Sequence, residues 1–162
     1  MKTTNIYNSV RNISYRKNNM HYSEAKKIMK INFIGPGELK VINKRLHITE
    51  PTKKEIPRVP YTATSLKKLH KDYILILGMP KDHVGKPLTI NRMRKVYGVN
   101  PQKKEPCMYN QDWYLKEKFA SKAHLDFYWY LIRKSVVKET RGKQPDDIEK
   151  KLSQKNISLL PF

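Results

Sequence analysis

The chain has 162 residues, 38% hydrophobic and 10% aromatic, which is enough for one domain with a real core and too apolar for a wholly disordered chain. It has no run of about 18 apolar residues to suggest a transmembrane helix, no apolar stretch in MKTTNIYNSVRN to suggest a secretory signal, and a single cysteine, Cys107, that cannot form an internal disulfide; the expectation is a soluble protein of a reducing cytoplasm. Thirty-four basic against 14 acidic residues give a net charge of +20, a field that attracts polyanions.

In chain order, residues 1–19 are rich in Asn, Ser and Lys without a sustained period and read as a loose arm, or as an extension upstream of a natural start at Met20. SEAKKIMK reads as a short helix, with Ser23 as its cap and Ala25, Ile28 and Met29 on one face. NFIGPG breaks it, and Pro36 suits the first turn of a second helix, ELKVINKRL, with Leu39, Ile42 and Leu46 aligned. Residues 20–48 therefore read as a helical hairpin, favoured over a DNA-reading helix-turn-helix. TEPTKKEIPRVPYTATS, residues 49–65, holds three prolines and reads as a linker. Ser65 is the candidate cap of LKKLHKD.

An α+β domain is expected over 66–162, with two buried strands packed by short helices. YILILG, residues 73–78, is a continuous apolar run of the kind buried on both faces of a sheet. Thr89 caps INRMRKVYG, which turns Ile90, Met93 and Tyr97 inward and ends at Gly98. In EPCMYNQDWYLKEKFA, Asn110 would start a helix anchored by Trp113, Leu115 and Phe119. FYWYLIRK, residues 127–134, reads as the second strand, and Pro145, Asp146 and Asp147 open a last helix. Two interior strands cannot close a sheet alone. With NISLLPF at the end, this implies an N-terminal fragment, a domain completed by a partner protein, or weak strands not visible in the pattern.

NFIGPGELKVI, ILILGMP, GKPLTINRMRKVYG, EPCMYNQDWYLKEKFA and WYLIRK resemble a family of uncharacterised bacterial proteins with FxGPEEL, YxQDWYxxExFA and WYLxRK segments. The likeness spans about residues 20–145, and the QDWY block is its most distinctive part. Gly37 stands where the family has the first Glu of GPEEL. The resemblance implies a longer chain and carries no activity.

Chemical motifs are sparse. Cys107 has no His at a spacing that predicts a nucleophile pair, and the five His make no metal pattern; no metal or cofactor is expected. There is no phosphate-cradling or nucleophile-elbow motif. Asp146 and Glu149 with the lysines after them imitate a nuclease set but share one helix. An enzyme acting alone is the least favoured reading. Tyr109, Trp113, Tyr114, Phe127, Tyr128 and Trp129 could stack bases, but FYWYLIRK is apolar on both parities, as a core strand is.

The cations are spread: 12 basic and 4 acidic residues in 1–57, 19 and 7 in 58–145, 3 and 3 beyond. With 26 Lys against 8 Arg, AT-rich codon usage accounts for the excess as readily as a ligand does. The functional expectation is a basic, non-catalytic protein that contacts nucleic-acid phosphates through Lys86, Arg92, Arg94 and Lys95. The alternative is an interaction module, or the N-terminal part of a larger protein whose working residues lie beyond Phe162. No membrane partner is expected.

Overall fold

YILIL is aliphatic and aromatic without a polar break, and it forms β2, Tyr73–Leu77, the middle strand of a three-stranded sheet. The structure is a computed structural model and describes residues 20–46, 51–82, 84–105 and 113–154. Its architecture is α+β. β1, Phe33–Ile34, runs parallel to β2, with Phe33 opposite Leu75. β3, Trp129–Arg133, runs antiparallel on the other side, with Leu77 opposite Trp129 and Tyr73 opposite Arg133. Both strands expected from the sequence are present, and β1 adds a third. β1 is two residues long, too short to show a period, and lies inside the segment read as a helix breaker.

The strands differ from expectation in their degree of burial. Only Leu75 and Leu77 of β2 are buried, while Tyr73, Ile74 and Ile76 are half-buried. β3 is an edge strand: Trp129 is buried, the next three residues are half-buried, and Arg133 is exposed. Alternate side chains point to opposite faces of a sheet, and one face here is covered far more completely than the other.

Helix α1, Tyr22–Met29, buries Ala25 and Met29, four residues apart and so on one face. Its cap is His21, not Ser23: the imidazole Nδ1 accepts from the Ser23 amide at 3.3 Å. A 3-10 turn, Lys30–Asn32, leads into β1. Helix α2, Pro36–Leu46, has Pro36 in its first turn. Glu38 reaches back to accept from the Gly35 amide at 3.0 Å, as in a capping box, and pairs with Lys26 at 2.6 Å. Burial raises the Glu38 pKa, but hydrogen bonds from Lys26, its own amide and the Gly35 amide outweigh this and hold the carboxyl below its ordinary value. A Cβ on Gly35 would overlap the Phe33 ring and stand 3.2 Å from Trp129 Cη2, so these rings fix glycine there.

The segment read as a linker is part of the core. Val59 is fully buried and forms a bridge to Met20, with amide–carbonyl bonds of 3.2 and 3.0 Å. Ile56 is buried too, and the Pro57 carbonyl accepts from Trp129 Nε1 at 2.8 Å. Helix α3, Ala63–Leu69, is capped by Thr62 rather than Ser65, since Thr62 Oγ1 accepts from the Ser65 amide at 3.0 Å. Its Leu66 joins Met20, Ala25, Met29, Phe33, Leu39, Ile56, Val59, Leu75, Leu77 and Trp129 in one apolar cluster. Residues from the expected hairpin, linker and α+β domain therefore share a core, because Phe33, Val59, Leu75 and Trp129 need one another for burial.

Helix α4, Ile90–Tyr97, begins at Thr89 and ends at Gly98 (φ 82°), as its sequence predicts, but Met93 is exposed. In place of the helix expected from Asn110 there is a 3-10 turn, Trp113–Lys116, then α5, Lys118–Lys122. Leu115 and Phe119 are half-buried. Asn110 and Cys107 lie outside the described residues. Helix α6, Pro145–Gln154, buries Leu152.

Candidate nucleic-acid interface

The four residues expected to meet phosphate lie on the loop before α4 and on α4 itself. Lys81 and Pro87 form an antiparallel bridge, and the Asp82 carboxylate organises the turn between them. Its Oδ1 accepts from the Val84 amide at 3.0 Å and the Lys86 amide at 2.9 Å. Its Oδ2 accepts from Arg92 Nε at 2.6 Å and is also in contact with Arg92 Nη2, a two-pronged pair that a planar guanidinium is shaped to make. The Asp82 side chain is fully shielded and Arg92 is 20% exposed. Burial raises the Asp82 pKa, yet the bonds from the Lys86 amide, Arg92 and the Val84 amide outweigh it and hold the carboxyl below its ordinary value.

Arg94 is also engaged. Its Nη1 donates to the Tyr114 hydroxyl at 3.0 Å, and its guanidinium carbon lies 5.9 Å from the centre of that ring. Lys86 and Lys95 remain exposed. Two of the four expected contacts are thus turned to internal pairing and two face solvent.

The fold gathers a different set of cations at the end of the sheet where β2 begins and β3 ends. Asn32 Nδ2 donates to the His70 carbonyl at 2.6 Å. The Lys134 amide donates to the Asp72 carbonyl at 2.8 Å, and Lys134 Nζ reaches Asn32 Oδ1 at 3.4 Å. Segments 30–32, 67–72 and 133–134 are therefore joined at one corner. They carry Lys30, Lys67, Lys68, Lys71, Arg133 and Lys134 against one carboxylate, Asp72, and all seven are exposed. Sequence reading missed this set because its members come from three segments spread over more than a hundred positions. The basic last turn of α3 was the one local signal.

The aromatic candidates whose side chains are described are buried or half-buried. Trp129 is in the core, with its indole N–H on the Pro57 carbonyl. Tyr128 and Tyr130 meet edge to face at 6.1 Å and are half-buried. Tyr109 lies outside the described residues. Among the described residues no group of His, Cys, Asp and Glu could hold a metal ion, and no helix is long and apolar enough to cross a membrane. His21 caps α1, while the ring Nδ1 of His70 lies 2.8 Å from the Lys67 carbonyl and that of His124 lies 3.0 Å from the Lys122 carbonyl. No family model, curated protein or solved structure matches the chain.

Proposed function

We propose that this is a basic protein of the cytoplasm that binds nucleic acid through its phosphate backbone. The observation that supports the reading best is the net charge of +20 combined with lysines held on ordered elements at the surface. Lysine is a compact point charge on a flexible stem, suited to phosphate contact more than to reading base edges. In this reading Lys86 and Lys95 reach phosphate directly. Arg92 and Arg94 support them by holding the loop and helix in place.

Binding of arbitrary-sequence nucleic acid, measured as salt is raised, tests the reading. The expected result is a linear fall of log K with log salt, with a slope of about −0.9 per phosphate contacted on a duplex. Absence of binding near physiological salt would remove it.

A second reading, a protein partner that completes the sheet, draws support from the edge of β3. The bonds Gly78 N to Tyr128 O and Lys134 N to Asp72 O, both 2.8 Å, set the even-numbered residues of β3 toward β2. The amides of Leu131 and Arg133 then point away from it, where an added strand would pair. This reading requires fast hydrogen exchange at those two amides in the isolated protein.

A further inference from the structure

We propose that the corner formed by residues 30–32, 67–72 and 133–134 is the docking surface for the backbone of double-stranded nucleic acid. The inference rests on the nucleic-acid reading above and assigns it a place and a form of ligand. Uniform enrichment in lysine would spread cations evenly. At this corner 6 of 11 residues are cationic, against 34 of 162 in the whole chain.

The cations are also mounted firmly. Asn32 ties the 3-10 turn to His70, and Lys134 is tied to Asp72 by the strand ladder. Behind these segments lie the buried side chains of Met29, Phe33, Leu66 and Leu75. No ion pair among the described residues engages Lys30, Lys67, Lys68, Lys71 or Arg133. Their charge is available to a ligand without breaking an internal contact, unlike that of Arg92.

The chemistry of the corner favours a duplex. Five of its six cations are lysines, which neutralise phosphate without selecting sequence. Single-stranded ligands are held by aromatic faces on which bases stack. The large apolar side chain exposed here is Ile31, at 94%, which offers no ring, and the neighbouring Tyr73 is half-buried in β2. An anionic membrane would also be drawn to lysines around an exposed isoleucine. One aliphatic side chain, however, is a small anchor beside the broad apolar face by which interfacial helices bind. The duplex is therefore the partner the surface fits best.

The experiment uses the full chain and three probes: a 20-bp duplex of arbitrary sequence, a single strand of the same length, and vesicles of phosphatidylcholine with phosphatidylserine. Lys67→Glu/Lys71→Glu reverses the corner, and Lys86→Glu/Lys95→Glu reverses the α4 region. Lys30→Gln/Lys71→Gln is a milder corner variant should reversal disturb folding. Corner reversal is expected to weaken duplex binding by about 30-fold or more and to lower the salt slope by about two, one for each phosphate no longer neutralised. The glutamine pair should weaken binding less, in the same direction, and α4 reversal, which removes the contacts of Lys86 and Lys95, should weaken it by less than corner reversal does. Duplex binding that survives corner reversal overturns the inference and leaves the nucleic-acid reading standing. Wild-type protein that binds neither nucleic acid removes both. Tighter binding to the single strand, or a corner reversal that releases vesicles and leaves the duplex bound, also overturns it.

Discussion

At the sheet-end corner the cations stand over an apolar interior, whereas around α4 they stand over almost none. The corner is backed by Met29, Leu66 and Leu75, each fully or almost fully buried. Helix α4 has no buried residue at all. It is held by the Thr89 cap, the Asp82–Arg92 pair and the Arg94–Tyr114 contact. Where hydrophobic burial supplies the stability, surface lysines are left free. Where it does not, arginines are drawn into holding the fold. Arginine suits that task because its rigid fork makes several bonds with little further loss of freedom.

The largest expected effect tests the apolar side of this contrast. Trp129→Ala removes a fully buried indole that packs 5.3 Å from the Phe33 ring and donates to Pro57. Truncations of this kind cost about 3–5 kcal/mol. Urea unfolding should show a loss of this size; a loss below about 1 kcal/mol would mean that the corner is not backed by a close-packed core.

Acid should strike the other region first. Asp82 has a depressed folded-state pKa, so the folded state binds fewer protons than the unfolded chain, where an Asp titrates near pH 3.9. Its contribution is fully present above about that pH and is lost as pH falls through the depressed folded value. Glu38, in α2, follows the same sign, with an unfolded value near 4.3. Melting temperature measured from about pH 6 to pH 3 should fall less steeply in Asp82→Asn than in the wild type. Amides of 84–97 should lose exchange protection at higher pH than those of β2. Simultaneous loss in both regions would break the contrast.

A smaller effect probes the mount of the corner. Asn32→Ala deletes the 2.6 Å bond to the His70 carbonyl, which is part-buried, at an expected cost of about 1–2 kcal/mol. If the corner docks duplex, this variant should also weaken binding although every cation is retained, since the turn carrying Lys30 is no longer tied to α3. Unchanged affinity beside lowered stability would show that firm mounting is not needed.

The contrast itself was only half legible in the sequence. β2 was visible because YILIL has no polar interruption, and α4 because Thr89 and Gly98 mark its ends. Pro36 and Pro145 in the first turns of α2 and α6 were visible for the same reason: helix ends are local chemistry. β1 was not, since Phe33–Ile34 becomes a strand only by pairing with Leu75 and Ile76 some forty positions away. His21 and Thr62 took the caps assigned to serines two and three positions later, where either residue type can accept the bond. The prolines of 49–65 suggest a linker, but Ile56 and Val59 between them are buried. The pairing of Arg92 was hidden because Asp82 lies ten positions earlier, across a turn rather than along a helix face. The corner was hidden because charge adjacency there is made by strand register, not by sequence.

The smallest effect bears most directly on which region meets the ligand. Arg94 gives Tyr114 a hydrogen bond and a charge near its ring, both part-buried. Arg94→Ala should cost about 0.5–1 kcal/mol, the usual range for such a contact at a partly exposed site. Arg94→Lys separates the two possible roles. It keeps the charge but loses the planar group, so a structural Arg94 predicts that both variants are destabilised while duplex affinity changes less than about threefold in either. If alanine instead weakens binding by about tenfold or more and lysine restores it, the charge itself is meeting phosphate. Helix α4 would then be an interface in its own right, and the division between free and structural cations would fail at the residue where it is most finely balanced.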